Sequence, residues 1–171
     1  MAKRIFSYFI IFLVLICIFL FQIYVIDSRE LFGVKPNLIL ISVIVMSLWY
    51  GLYAGTIYSF FIGITTDIMF GNNFGIFTLS YIIVGLVIGY LNYNYRRENK
   101  VSLLYLTIFG TCIFEFTQFV IYLFLNSGSS NILHLIIQIL ISSILNVILA
   151  FILYGTFSRI SEYAESTNSY Y

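Results

Sequence analysis

Residues 36–70 read PNLILISVIVMSLWYGLYAGTIYSFFIGITTDIMF, with no charged side chain before Asp67. A helix crosses the hydrocarbon core of a bilayer in about 20 residues, so this stretch is far too long for one crossing and just long enough for two short ones. The segment Gly51-Leu52-Tyr53-Ala54-Gly55 supplies the backbone freedom for a reversal. Trp49, Tyr50 and Tyr53 surround it, rings of the kind that gather at a membrane–water interface. Pro36 suits the first turn of a helix, where a missing N–H costs nothing. The stretch is therefore predicted to form a helical hairpin with spans over 36–50 and 55–70, closed by the turn signal Gly71-Asn72-Asn73.

The rest of the chain has the same character. Of its 171 residues 61% are hydrophobic, 20% aromatic and only 9% charged, well below the quarter or so that a water-soluble surface normally carries. Lipid is the solvent such a chain expects. A net charge of +1, with no Lys/Arg run longer than two, excludes a broad basic face for nucleic acid. Cys17 and Cys112 stand in apolar stretches without a metal-ligand partner at suitable spacing and read as packing residues.

Working outward, an apolar run over 5–26 follows Lys3-Arg4 and lacks the small-x-small site of a cleaved signal peptide, so it is expected to stay as an anchor. Further spans are predicted over 74–93, 101–125 and 132–157, separated by the cationic loop Arg96-Arg97-Glu98-Asn99-Lys100 and the polar loop 126–131. The fold class is an all-α bundle of six transmembrane helices, a single domain over 1–160, with a short polar tail over 161–171 expected to be disordered. Six spans place Lys3, Arg4, Arg96, Arg97, Lys100 and Arg159 on one side and only Arg29 and Lys35 on the other. By the positive-inside rule both termini are then cytoplasmic, whereas a five-span reading would split these cations.

Charged and polar groups at bilayer depth are costly, so each needs a role. Asp67 lies about one turn before Gly71, where it either reaches headgroups and caps backbone N–H groups or takes a partner-binding or ion-linked role. Glu115 stands near the middle of its span with Thr111, Gln118 and Tyr122 on the same face, and the last span carries Gln138, Ser142 and Asn146 at one-turn intervals. An antiparallel pairing turns the two stripes toward each other and brings Asn146 to about the depth of Glu115. Interhelical hydrogen bonds, each contributing about 1 kcal/mol, are the plain reading of this cluster. Gly85 and Gly89, four apart within one span, permit close helix approach, while the pairs Gly51/Gly55 and Gly71/Gly75 read as turn glycines.

No catalytic or cofactor motif is visible: no G-x-S-x-G, no phosphate-binding glycine loop, no H-E-x-x-H. His134 is alone at a span end, which suits interface hydrogen bonding rather than metal or acid–base work. The chain reads as neither an enzyme nor a metal or cofactor binder.

The series Lys35-Pro36-Asn37-Leu38-Ile39-Leu40, Gly51, Gly55, then Gly63-Ile64-Thr65-Thr66-Asp67-Ile68-Met69-Phe70-Gly71, Gly75 and Gly85 resembles the MreD family of rod shape-determining membrane proteins. That family shows a Pro-Asx lead into its second span, a glycine hairpin and a G-x-x-x-D-x-x-x-G segment; here Asn37 replaces the acidic residue often found after the proline. The resemblance implies a multi-pass scaffold of the bacterial plasma membrane, sitting beside MreC and linked through it to MreB, RodA and a class B penicillin-binding protein. It also implies a role in cell shape and lateral peptidoglycan synthesis. On this scaffold hypothesis the partner-binding or structural candidates are Asp67, Gly71, Asn72 and Gly75 at the outer rim, Gly85/Gly89 inside the span, and Pro36. The second hypothesis is a vitamin-type substrate-binding subunit of an energy-coupling-factor transporter, with Glu115, Gln118, Gln138 and Asn146 lining a pocket. Against it, residues 5–26 lack the small-residue face that such subunits usually present to their coupling partner.

Overall fold

The uncharged run that opens at Pro36 becomes one helical element, α1 (Leu38–Phe70), broken at Gly51. Gly51 has φ 81° and ψ −171°, a backbone region that is essentially open only to glycine. Beyond it the chain doubles back. The Ser42 and Tyr58 hydroxyls are 2.8 Å apart, whereas a straight helix rising 1.5 Å per residue would separate them by about 24 Å. The reversal takes a single residue: helix resumes at Leu52, and Gly55, expected in the turn, is instead a contact point where a Cβ would come within 2.6 Å of Ser47 Cα.

A computed structural model describes residues 16–22, 24, 34–70, 74–91, 100–125 and 132–166. Residues 16–21 are helical, and three more elements follow α1: α2 (Ile76–Leu91), α3 (Lys100–Leu125) and α4 (Ile132–Ser166). Several features singled out in the sequence lie outside the described residues: the start of the first apolar run, Gly71, Asn72, the loop cations Arg96 and Arg97, and the polar loop 126–131. Helix α4 continues to Ser166, past the expected end near residue 157. Once a helix is under way each added residue gains a backbone hydrogen bond, and the Glu and Ala of 161–166 are good helix formers, so loss of apolar character does not stop it.

Helix α2 lies antiparallel along the second arm of α1, in the most extensive contact of the fold, and α3 pairs chiefly with α4. Glycines set the first approach. A Cβ on Gly85 would meet Ser59 and the Gly55 carbonyl, and one on Gly89 would meet Leu52 Cα at 2.6 Å. The Gly85/Gly89 face is thus filled from within the chain, where both glycines are buried, and is not open to a partner helix.

The first arm of α1 forms the centre. From Leu38 to Val45 every apolar side chain is buried, with Leu40, Ile41, Val43 and Ile44 fully so, and Tyr81, Val84, Ile88, Leu103, Leu106 and Phe114 close around them. A helix apolar on all sides belongs in a core. Trp49 joins this core at 7% exposure instead of standing in an interfacial belt, whereas Tyr50 and Tyr53 are exposed. Helices α3 and α4 are turned the other way out. On α4 the exposed positions include Leu133, Ile136, Ile137, Leu140, Ile144, Ile148 and Ile152, while Ser142, Asn146 and Ala150 point inward. Apolar outside and polar inside is the arrangement lipid selects, since a continuous apolar surface of this extent is not left facing water. Among the described residues, Leu38–Phe70, Val101–Leu125 and Ile132–Ile152 are long and apolar enough to cross a membrane.

Candidate functional site

Helices α3 and α4 meet along the two polar stripes. Glu115 is 8% exposed; its Oε2 accepts from Gln138 Nε2 at 2.8 Å and its Oε1 from Ser142 Oγ at 2.9 Å. Asn146 lies one turn further along and donates from Nδ2 to Thr111 Oγ1 at 3.2 Å, while the Thr111 hydroxyl donates its own hydrogen bond to the Thr107 carbonyl. The stripes therefore face each other as expected, with the register shifted by one turn from the expected pairing of Asn146 with Glu115.

The network continues to the start of α1. Asn146 Oδ1 accepts the Asn37 backbone N–H at 2.9 Å, and Asn37 Oδ1 accepts from Leu40 N at 2.8 Å, which makes Asn37 the N-cap of α1. The Tyr81 hydroxyl sits against the same amide, accepting from Nδ2 at 3.0 Å and donating to Oδ1 at 3.2 Å. Gln22, from the preceding helical stretch, donates to the Pro36 carbonyl at 3.1 Å and accepts from Leu38 N at 2.8 Å. Pro36 and Asn37 are thus gripped from three directions. Sequence reasoning missed Gln22 and Tyr81; a lone amide within an apolar run was the available signal for Gln22.

Asp67 forms a separate cluster. It is 2% exposed and accepts from Phe77 N at 3.0 Å, Thr78 N at 2.9 Å and the Thr78 hydroxyl. Phe77 and Thr78 lie in the first turn of α2, whose N–H groups have no carbonyl partners within the helix, so Asp67 caps α2 from a neighbouring element and places negative charge at its positive end. Gly75, just before α2, has φ 103°, and a Cβ there would meet nothing within 4 Å.

Between the two clusters lies a cavity of about 280 Å³. Glu115, Gln118, Gln138, Gln22, Asn37 and Lys35 contribute its polar lining, and Phe70, Phe77, Tyr81 and Phe114 its aromatic lining. Asn146, expected in such a pocket, is instead spent on Asn37 and Thr111. The described residues bring together no group of three His, Cys, Asp or Glu side chains that could hold a metal, and His134 is exposed. The arrangement orders helices around a partly open polar space.

The family model of the rod shape-determining protein MreD matches residues 2–160. The chain belongs to the MreD family. That match takes in α1, α2, α3 and the apolar part of α4, and with them the Pro36–Asn37 grip, the Asp67 cap and the Glu115 network. Membership gives the chain a role in rod-shape determination as a membrane protein, in a family of shape-determining rather than enzymatic function. No curated protein and no solved structure matches it.

Proposed function

We propose that this MreD-family chain is a non-enzymatic scaffold of the bacterial elongation machinery, crossing the plasma membrane six times with both termini in the cytoplasm. It binds an MreC-like protein and through it joins MreB, RodA and a class B penicillin-binding protein, and so supports lateral peptidoglycan synthesis. The family match over residues 2–160 carries this reading. It is supported by a bundle in which Glu115, Gln138 and Ser142 are spent on one another and whose outward faces on α3 and α4 are apolar, surfaces suited to lipid and to other membrane proteins. The partner contact is assigned to the rim around Gly71, Asn72 and Gly75, with Asp67 acting by fixing the helix start beside it.

Pull-down of the tagged chain from mild detergent, followed by mass spectrometry, should recover an MreC-like protein and a penicillin-binding protein. A preparation that returns neither would remove the scaffold reading. The topology has its own check: with a membrane-impermeant thiol reagent and the native cysteines replaced, Lys3→Cys and Arg96→Cys should both be protected in intact cells. Labelling of Arg96→Cys alone would reduce the crossings between them by one and refute the hairpin orientation.

A further inference from the structure

We infer that the bundle is fitted to a thin bilayer: the partner of its lipid-facing girdle is a shell of phospholipid with short acyl chains, about 25 Å of hydrocarbon where about 30 Å is usual. This goes beyond scaffolding, because it assigns the chain a preference among membranes.

The inference starts from where the exposed tyrosines stand. At the end of the bundle where α1 reverses, Tyr53 of α1, Tyr90 of α2 and Tyr105 of α3 are 83%, 76% and 65% exposed. The close approach of Gly89 to Leu52 brings the first two to one level, and α3 sets out from the same end. Rings with an apolar body and a hydroxyl tip gather at the membrane–water interface, so the three mark one boundary of the hydrocarbon. At the opposite end Tyr122 of α3 and Tyr24, just past Gln22, are exposed as well.

Three helices then give the distance between the boundaries independently. From Tyr105 to Tyr122 α3 rises about 26 Å at ~1.5 Å per residue, and α1 rises as much from Tyr53 to its end at Phe70. Helix α2, with 16 residues, is about 24 Å long in all. Only residues 71–75 join α1 to α2, and they include Asn72 and Asn73, so the end of one helix and the start of the other share a level outside the apolar run. Between these limits the large outward side chains are apolar, among them Ile57, Phe61 and Ile68 on α1, Leu79 and Leu86 on α2, and Phe116 on α3. Tilting cannot restore height, since a tilted helix spans less than its length. Helix α4 is the long one: its apolar part Ile132–Ile152 measures about 30 Å and fits the same slab with a tilt of about 30°, within the usual range for membrane helices.

A bilayer meets a short girdle by thinning around it, at a cost that grows with the mismatch and sorts proteins toward thinner membrane. The shell is therefore lowest in energy where acyl chains are short, and a second protein with equally short spans would share it.

The full chain would be reconstituted into vesicles of phosphatidylcholine with monounsaturated chains of fourteen, sixteen, eighteen, twenty or twenty-two carbons. Unfolding by heat would be followed by the emission of Trp49, the single tryptophan, which is buried in the core. The midpoint should be highest at sixteen carbons or fewer and lower by about 5 °C or more at twenty-two. A maximum at eighteen carbons or more, or midpoints independent of chain length, would overturn the inference. Replacing the three exposed rings together, by Tyr53→Leu, Tyr90→Leu and Tyr105→Leu, lengthens the apolar girdle at the reversal end, so the best chain length should move up by at least one step. An unchanged optimum in that variant would show that the vesicles rather than the girdle set the preference, and would equally overturn it; should the variant fail to insert, the native series decides alone.

Discussion

Replacing Asp67 by alanine should lower the stability of the bundle by about 3 kcal/mol, a large share of what holds a domain folded. The carboxylate accepts three hydrogen bonds in a place only 2% exposed, from Phe77 N, Thr78 N and the Thr78 hydroxyl. Alanine leaves all three donors buried without an acceptor, and each such group costs about 1–3 kcal/mol, partly recovered as the helix start relaxes. The same change removes a negative charge from the N-terminal end of α2. Asp67→Asn keeps one acceptor oxygen but turns an NH₂ toward a donor, so it should fall between alanine and the native protein. Unfolding of the three proteins in mixed micelles, followed by circular dichroism, measures the order. An Asp67→Ala midpoint equal to the native one would show that the cap contributes nothing, and would return Asp67 to the partner-binding role that its place in the sequence also allowed.

The hairpin was legible in the sequence because two independent constraints met on it: the length of the uncharged run before Asp67, and the placing of cations on either side. Its geometry was less so. Five residues from Gly51 to Gly55 looked equally capable of turning, and only the packing of Gly55 against Ser47 separates the residue that reverses the chain from the one that lets the arms touch. The polar stripes were legible because Glu115, Gln138, Ser142 and Asn146 recur at helical spacing in apolar surroundings. The register follows from the loop between Leu125 and Ile132: residues equally far from it meet, which pairs Glu115 with Ser142 and Thr111 with Asn146.

What could not be read was which apolar residues face lipid and which face protein. The run from Leu38 to Val45 suits either solvent, and its central position depends on α2, α3 and the helical stretch at 16–21 closing around it. Trp49 illustrates the difficulty, since the same ring fits an interfacial belt or a core. Gln22 and Tyr81 escaped notice for a related reason. Their partners, Pro36, Leu38 and Asn37, are distant in the chain, and no local spacing links them.

Gly89→Leu should be the most disruptive glycine substitution in the bundle, costing about 3 kcal/mol or more, at the upper end of what overpacking a core brings. A Cβ at Gly89 would lie 2.6 Å from Leu52 Cα, 3.0 Å from Leu52 N and 3.3 Å from Gly51 C. All three are backbone atoms, so no side chain can rotate aside. They also belong to the residues that reverse α1, where Gly51 already holds a conformation closed to other residues. Relief therefore requires α2 to move off the hairpin, which would loosen the Gly85 contact with Ser59 along the same helix. Gly110→Ala offers the contrast: its nearest neighbour is Ile44 Cδ1 at 2.8 Å, the end of a flexible side chain, so its cost should stay below about 1.5 kcal/mol. Gly155→Ala meets nothing within 4 Å and should be neutral or slightly stabilising through helix propensity. Midpoints ranked Gly155→Ala, Gly110→Ala, Gly89→Leu from highest to lowest would show that backbone proximity at the reversal governs this packing. If Gly89→Leu unfolded together with Gly110→Ala, α2 would have room to shift, and the tight approach at Leu52 would not be what holds it.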